Sequence, residues 1–243
     1  IDRICRKNHI NYALSFGSAL GIDNFKDFVP WDDDADVVVD YFDYHRLVEA
    51  LKKDLGNEFV FDCFETNKKY NVLLPAIKVK YKNSKIIENN HFFIKNRGCK
   101  CKGLFIDICL IMGVPSKQKE HLRLIRKSKR LMPWICFMES ILHINPRIMK
   151  NRLLKVEKQT AEKYKNSDTI SQTVIIPFQQ YPKKIVHNLS FPKSVIYPFK
   201  EYDFHGEKFY SFNDVHEFCT LRYGEFKKDD KYHTSHLKRV DIY

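Results

Sequence analysis

The sequence predicts an α+β fold, with strands and helices interleaved in a single unit over residues 1–243, on three observations. Short apolar runs, Val37-Val38-Val39 the most β-branched among them, recur between segments of helical spacing. Residues 42–55 place Tyr44, Leu47, Val48 and Leu51 on one helical face. From about Lys117 to Lys165 a long helical pattern sets lysines and arginines between Leu122, Leu124, Ile125, Leu131, Trp134 and Ile135. This basic stretch reads as an elaboration, about residues 116–243, on a core of about 1–115 rather than as a new domain.

Taken in order, residues 1–10 are helical, and Tyr12, Ala13, Leu14 and Phe16 make a short strand that ends at a tight turn, Gly17-Ser18. Residues 19–24 open the next helix. A loop follows to Trp31, with Val29 held extended by Pro30. The acidic block Asp32-Asp33-Asp34-Ala35-Asp36 then enters the strand Val37–Val39. After the helix at 42–55, which Gly56 terminates, strands are expected at 58–64 and 72–81, then a polar loop with Asn83, Asn89 and Asn90. His91-Phe92-Phe93-Ile94 and a basic segment, 95–102, lead to an apolar strand over 103–112 that carries one carboxylate, Asp107. Beyond the basic helical stretch come short extended pieces and a final helix at about 212–223. No repeat is evident.

Composition narrows the functional classes. The 243 residues are 44% hydrophobic, enough to bury a substantial core, and a formal net charge of +12 favours polyanionic partners. No run approaches the roughly 18–20 apolar residues of a membrane span. Seven scattered cysteines do not form a disulfide framework and fit a reducing compartment. Cys99 and Cys101, without a second pair nearby, are a weak zinc signal.

The carboxylates carry the chemistry. Side chains two apart on a strand share a face, so Asp34 and Asp36 are expected to project together while Ala35 and Val37 face the core. Paired carboxylates repel unless a cation lies between them, and Mg²⁺ takes carboxylate oxygens together with substrate phosphates. Asp107 is the candidate third ligand or proton acceptor. An acidic run is more often a solvated loop, but Val37–Val39 embed this one at the edge of a core. For Asp107 the rival reading is a core aspartate satisfied by an arginine or by backbone donors. An EF-hand is excluded, because Val37 and Asp43 stand where its loop requires Gly and Glu. Gly17 and Ser18, between strand and helix, offer backbone donors to a phosphate.

Three segments together resemble the LicD family, which includes bacterial phosphorylcholine transferases and fukutin-related sugar-phosphate transferases. They are Phe16-Gly17-Ser18-Ala19-Leu20-Gly21, Val29-Pro30-Trp31-Asp32-Asp33-Asp34-Ala35-Asp36, and Gly103-Leu104-Phe105-Ile106-Asp107-Ile108. A looser echo lies in Leu221-Arg222-Tyr223-Gly224-Glu225-Phe226. The resemblance implies a nucleotidyltransferase-like core, a short mixed β-sheet flanked by helices. It places Gly17 and Ser18 near phosphates, Asp32 at the head of the acidic block, and Asp34, Asp36 and Asp107 as a catalytic triad holding Mg²⁺ or Mn²⁺. The implied activity is a phosphotransferase: transfer of phosphocholine, or a similar group such as ribitol phosphate, from a CDP-alcohol donor to a hydroxyl of a glycan or lipid-linked glycan, as in lipopolysaccharide, teichoic acid or capsule biosynthesis. Ala35 departs from the branched apolar residue usual at its position.

Cationic donors for the diphosphate are expected among Lys78, Lys80, Arg97, Lys100 and Lys102, each of which reads individually as a solvated surface residue; Arg97 is preferred for its bidentate geometry. His233 and His236 are candidate acid–base or phosphate-binding groups, or part of a frayed tail. The segment with Trp134 and Phe137 either completes the core, the reading favoured by sequence, or lies on an anionic membrane. A cytoplasmic location is expected, peripheral to the membrane in the second case, or the Golgi lumen for a piece of a fukutin-like protein. Two other functions stay open: transfer of a nucleotide onto a protein, small molecule or RNA end, and a non-enzymatic nucleic-acid-binding module. No nucleic-acid partner is expected, since no binding motif is visible and the acidic block repels a phosphate backbone.

Overall fold

The structure, a computed structural model, describes residues 1–72, 75–88, 99–171, 190–225 and 237–243. Helix α1 (Asp2–Lys7) leads into β1 (Tyr12–Ser15), α2 (Phe16–Asn24), β2 (Asp36–Asp40) and, after a 3-10 turn, α3 (Tyr44–Asp54). Then come β3 (Phe59–Cys63), β4 (Ile77–Tyr81), β5 (Ser84–Glu88), β6 (Phe105–Gly113), and the long helices α4 (Gln118–Ser140) and α5 (Arg147–Lys163). The C-terminal part comprises β7 (Thr169–Ser171), β8 (Ser190–Pro192), α6 (Lys193–Ile196), β9 (Lys200–Phe204), β10 (Glu207–Ser211), α7 (Val215–Tyr223) and β11 (Leu237–Ile242).

The α+β expectation holds: helices surround a mixed sheet of order β1-β2-β6-β4-β3, with β7 added at the far end of β6 and β8 paired to β7. Among the described residues β2–β6 is the one parallel ladder, and the other pairings are antiparallel. Val37, Val38 and Val39 are buried on β2, as expected of a strand covered on both faces. Leu47, Val48 and Leu51 bury the predicted face of α3. One core cluster runs from Ile4 through Ile108 to Phe218 and Cys219, so residues near both ends of the chain share it. Ser211 Oγ donates to Leu14 O at 2.8 Å and Tyr197 OH to Asp40 Oδ2 at 2.8 Å, tying the C-terminal elements to β1 and β2.

Three local expectations are corrected. Ser15 is extended and Phe16 takes a positive φ of 47°, so the chain turns there and α2 begins at Phe16. Gly17 and Ser18 thus lie inside the first helical turn rather than in a turn before it. The polar loop after β4 contains β5, which pairs with β11 across most of the sequence, a long-range ladder with no local signature. The basic helical stretch breaks into α4 and α5 around residues 141–146. His91–Ile94, Arg97, His233 and His236 lie outside the described residues.

Helix α5 carries two buried ionisable groups. Lys150 Nζ pairs with Glu139 of α4 and donates to Tyr70 O at 2.9 Å, pinning the helical pair to the segment after β3. Removing one partner of a buried pair strands the other charge, at about 3–5 kcal/mol. Lys150→Met is therefore expected to lose about that much stability in urea unfolding, and a Lys150→Met/Glu139→Leu double variant to recover most of it; equal losses in both would refute the pair's role. Glu157 faces Tyr41 and Tyr44, and burial pushes its carboxyl from 4.5 up to about 7. Because the folded state binds this proton more tightly than the unfolded state, its contribution is present below pH 4.5 and lost as pH rises through about 7. The loss is about 3 kcal/mol at 1.36 kcal/mol per unit. In Glu157→Gln, stability across that window is expected to be flatter than in the wild type by roughly this amount.

Candidate functional site

Registers across the sheet build the site. Ser15 of β1 pairs with Asp36, Asp36 with Asp107 of β6, Asp107 with Lys78 of β4, and Lys78 with Asp62 of β3. Directly paired residues project to the same face, so five polar side chains form one row across five strands. The backbone N–H of Asp107 also donates to Ala35 O at 3.1 Å, fastening the acidic loop to β6.

Asp36 opens β2, whereas Asp32, Asp33 and Asp34 lie in the loop before it. Burial, and then the charges of Asp34, Asp107 and Asp32, hold the Asp36 carboxyl well above the usual carboxylate range, with Lys78 pulling the other way. Asp34, Asp36 and Asp107 are thus brought into one electrostatic neighbourhood. Carboxylate oxygens of Asp32, Asp33 and Asp34 lie within 4.8 Å of one another. A hard divalent cation would suit this trio, which takes in Asp34 of the expected ligand set but neither Asp36 nor Asp107, since such an ion takes carboxylate oxygens and relieves their mutual repulsion. Asp33, absent from the sequence candidates, joins the acidic group because the strand begins only at Asp36 and the loop carboxylates before it do not alternate between two faces.

Gly17 and Ser18 contact the acidic block itself. A Cβ on Gly17 would lie 1.7 Å from Asp32 Oδ2, so only glycine lets this carboxylate rest on the first turn of α2. Ser18 Oγ accepts from the Asp36 N–H at 3.2 Å. The loop ahead of the block is clamped from the C-terminal side: a tight turn between β9 and β10 presents His205, whose N–H donates to Lys26 O at 2.9 Å and whose Nδ1 meets Asp27 Oδ1 at 2.8 Å.

Lys78 and Lys80 depart from the solvated-surface reading. Lys78 is 3% exposed; its Nζ lies 2.7 Å from Asp107 Oδ1 and 3.0 Å from Oδ2, over the Phe105 ring at 3.5 Å. Lys80 is buried and donates to Cys101 O at 3.0 Å. Asp107 is accordingly a buried aspartate paired with a lysine, where its rival reading named an arginine or backbone donors. The backbone N–H of Lys100 donates to Asp62 Oδ2 at 2.9 Å, and the carbonyl of Lys102 accepts from the Ile86 N–H at 2.7 Å.

Two further residues reach the site from α7. Tyr223 keeps 43% of its surface exposed, while its hydroxyl is held above the usual phenol range by local desolvation, against the pull of Arg222 and with Cys219, Asp36 and Asp32 adding to the rise, which puts the phenol within electrostatic range of the acidic block. The Arg222 guanidinium lies 5.3 Å from the Phe16 ring centroid, beside the start of α2. The Tyr-Gly echo was the sequence signal for both; Asp62 had none.

A row of polar side chains across the mixed sheet and an acidic loop against a helix start gather carboxylates at one edge of the sheet. The profile of the LicD/FKTN/FKRP nucleotidyltransferase domain matches residues 9–133, and the chain belongs to this family. It is similar to the lipopolysaccharide cholinephosphotransferase LicD of Haemophilus influenzae, 27% identical over 243 aligned residues that cover 93% of this chain and 85% of the relative.

Lys78→Met removes the cation that faces Asp107 inside the sheet and is expected to cost about 3–5 kcal/mol. If Asp107 binds metal, Mn²⁺ should raise the melting temperature of this variant more than that of the wild type, because it restores the missing charge. Equal shifts in the two proteins would count against Asp107 as a ligand.

Proposed function

We propose that this chain transfers a phospho-alcohol, phosphocholine or a similar group such as ribitol phosphate, from a CDP-linked donor to a hydroxyl of a glycan or glycolipid, with Mg²⁺ or Mn²⁺ held by Asp34, Asp36 and Asp107. The observation that carries this reading is the parallel register of Asp36 with Asp107, which joins the two separated motifs of the family domain into one row. The similarity to a cholinephosphotransferase supports phosphocholine as the first donor to test.

When bound, the cation supplies polarisation of the phosphoryl oxygens and neutralises charge that develops on them. The chain's own residues do the positioning. Asp34 and Asp36 present oxygens from the loop and from the strand entry, while Lys78 fixes the orientation of the Asp107 carboxylate. Asp32 rests on Gly17 and closes one side of the site. Arg222 and the first-turn amides of α2 offer positive charge to a diphosphate, and the Tyr223 phenol, kept protonated, offers a hydrogen-bond donor. An acceptor hydroxyl attacks in line with the leaving nucleoside monophosphate, a geometry served by positioning and electrostatics.

Transfer of the nucleotide itself is the second reading, favoured by the nucleotidyltransferase character of the family domain. The position of label in the product separates the two. With a panel of CDP-choline, CDP-ribitol, CDP-glycerol and CDP-ethanolamine and either metal, release of cytidine monophosphate is expected from one donor, with label from its alcohol in the product. That donor at a hundredfold excess over its Kd should stabilise the fold by about 2.7 kcal/mol in the presence of metal. Asp34→Asn and Asp36→Asn are expected to lower turnover by orders of magnitude with the fold intact. Full activity in both variants sinks the metal assignment, and label from the base selects nucleotidyl transfer.

A further inference from the structure

The tip of the α4–α5 hairpin does not complete the core. Trp134 is 59% exposed and Ile148 71% exposed, and Phe137, Ile141, Leu142 and Ile144 between them are exposed as well. Trp134, Phe137 and Ile141 follow helical spacing along one side of α4, and the remaining three continue over the connection into α5. Six large apolar side chains on one short stretch form a patch of the kind that marks an interaction surface.

The tip is ordered, which distinguishes it from a frayed connection. Ile141 N–H donates to Phe137 O at 2.9 Å, Ile144 N–H to Met138 O at 2.9 Å, and Asn145 Nδ2 to Lys68 O at 2.8 Å. The buried Lys150–Glu139 pair lies at the base, locking the last turn of one helix to the first turn of the next. The apolar residues are therefore presented outward on a fixed scaffold.

Charge identifies the partner. Between residues 121 and 156 the sequence carries nine lysines and arginines and one acidic residue, Glu139. That glutamate is buried on Lys150, so the flanks of the patch present Arg123, Arg126, Arg130, Arg147, Arg152 and Lys155 to solvent with no exposed acid among them. An apolar tip with a tryptophan, bordered by exposed arginines, matches the interface of an anionic bilayer: the apolar groups enter the acyl boundary and the guanidinium groups meet the headgroup phosphates. No described helix is long and apolar enough to cross a membrane.

We propose that residues 134–148 are a docking surface for an anionic lipid bilayer, on which the protein lies without spanning it. This inference is independent of the transferase reading and its test does not use activity. Vesicles of phosphatidylcholine alone and of phosphatidylcholine with phosphatidylglycerol are floated with the full chain and with Trp134→Ser/Ile141→Ser/Ile148→Ser, whose sites are all exposed. The wild type should float with the anionic vesicles and not with the neutral ones, less so as salt rises, and the serine variant should bind at least about tenfold more weakly with an unchanged melting temperature. In a Trp31→Phe background, which leaves Trp134 as the remaining tryptophan, fluorescence should shift to the blue on anionic vesicles only. Should the serine variant fail to fold, Arg130→Glu/Arg147→Glu/Arg152→Glu provides the same comparison through charge. Failure of the wild type to bind anionic vesicles overturns the proposal, as does a folded variant that binds them as tightly as the wild type. A dimer that the serine substitutions dissociate, without vesicle binding, overturns it in favour of contact between two copies.

Discussion

Parallel pairing of β2 with β6 sets Asp36 beside Asp107, two carboxylates that repel inside a half-buried site unless positive charge lies with them. Lys78, next in register, supplies that charge from within the sheet, and its burial on Asp107 makes the pair interdependent. The acidic loop brings further negative charge to the other side of Asp36, where burial and Asp34 act together. Lys78 thus offsets charge on the β4 side, while Asp32, Asp33 and Asp34 gather on the loop side. The divalent cation proposed above would act on the loop side as Lys78 acts on the β4 side.

The rest of the molecule holds this arrangement in place. Gly17 allows Asp32 to rest against α2, and the β9–β10 turn fastens the loop from which the acidic block extends. Helix α7 lies beside α2 and carries Arg222 and Tyr223 to the same edge. Residues beyond 190 therefore take part in the core and in the site's surroundings, although the family profile matches residues 9–133. At the Asp62 end of the row, the segment after β3 packs under the helical hairpin, with Lys150 bonded to Tyr70 O. The hairpin's outward face and the carboxylate row are thereby parts of one packed body.

Much of the site was legible locally. A run of aspartates ahead of three valines marks a strand entry, and an aspartate alone in an apolar strand marks a buried polar position, because an unpaired charge there is costly. What stayed hidden depends on pairing between distant segments. Lys78 and Lys80 look like surface lysines until β4 is placed between β3 and β6. Strand β5 has no partner in view until β11 arrives from the far end of the chain. Trp134 and Phe137 read as core because aromatics on a helix usually are; their exposure follows from which side of α4 is taken up by Met132, Ile135 and Cys136 against Phe64 and Tyr70.

The sequence by itself determined the α+β class, the acidic block with its helix partner, the separate Asp107 and the family, since each rests on residues adjacent in the chain or on motif spacing. Tertiary structure alone decided that Asp36, Asp107, Lys78 and Asp62 share one row, that Gly17 serves Asp32, and that an apolar tip faces outward between arginines. The physical reason is that side-chain neighbourhood across a sheet is set by register. Register is settled by the packing of the whole core and not by any one strand's own composition.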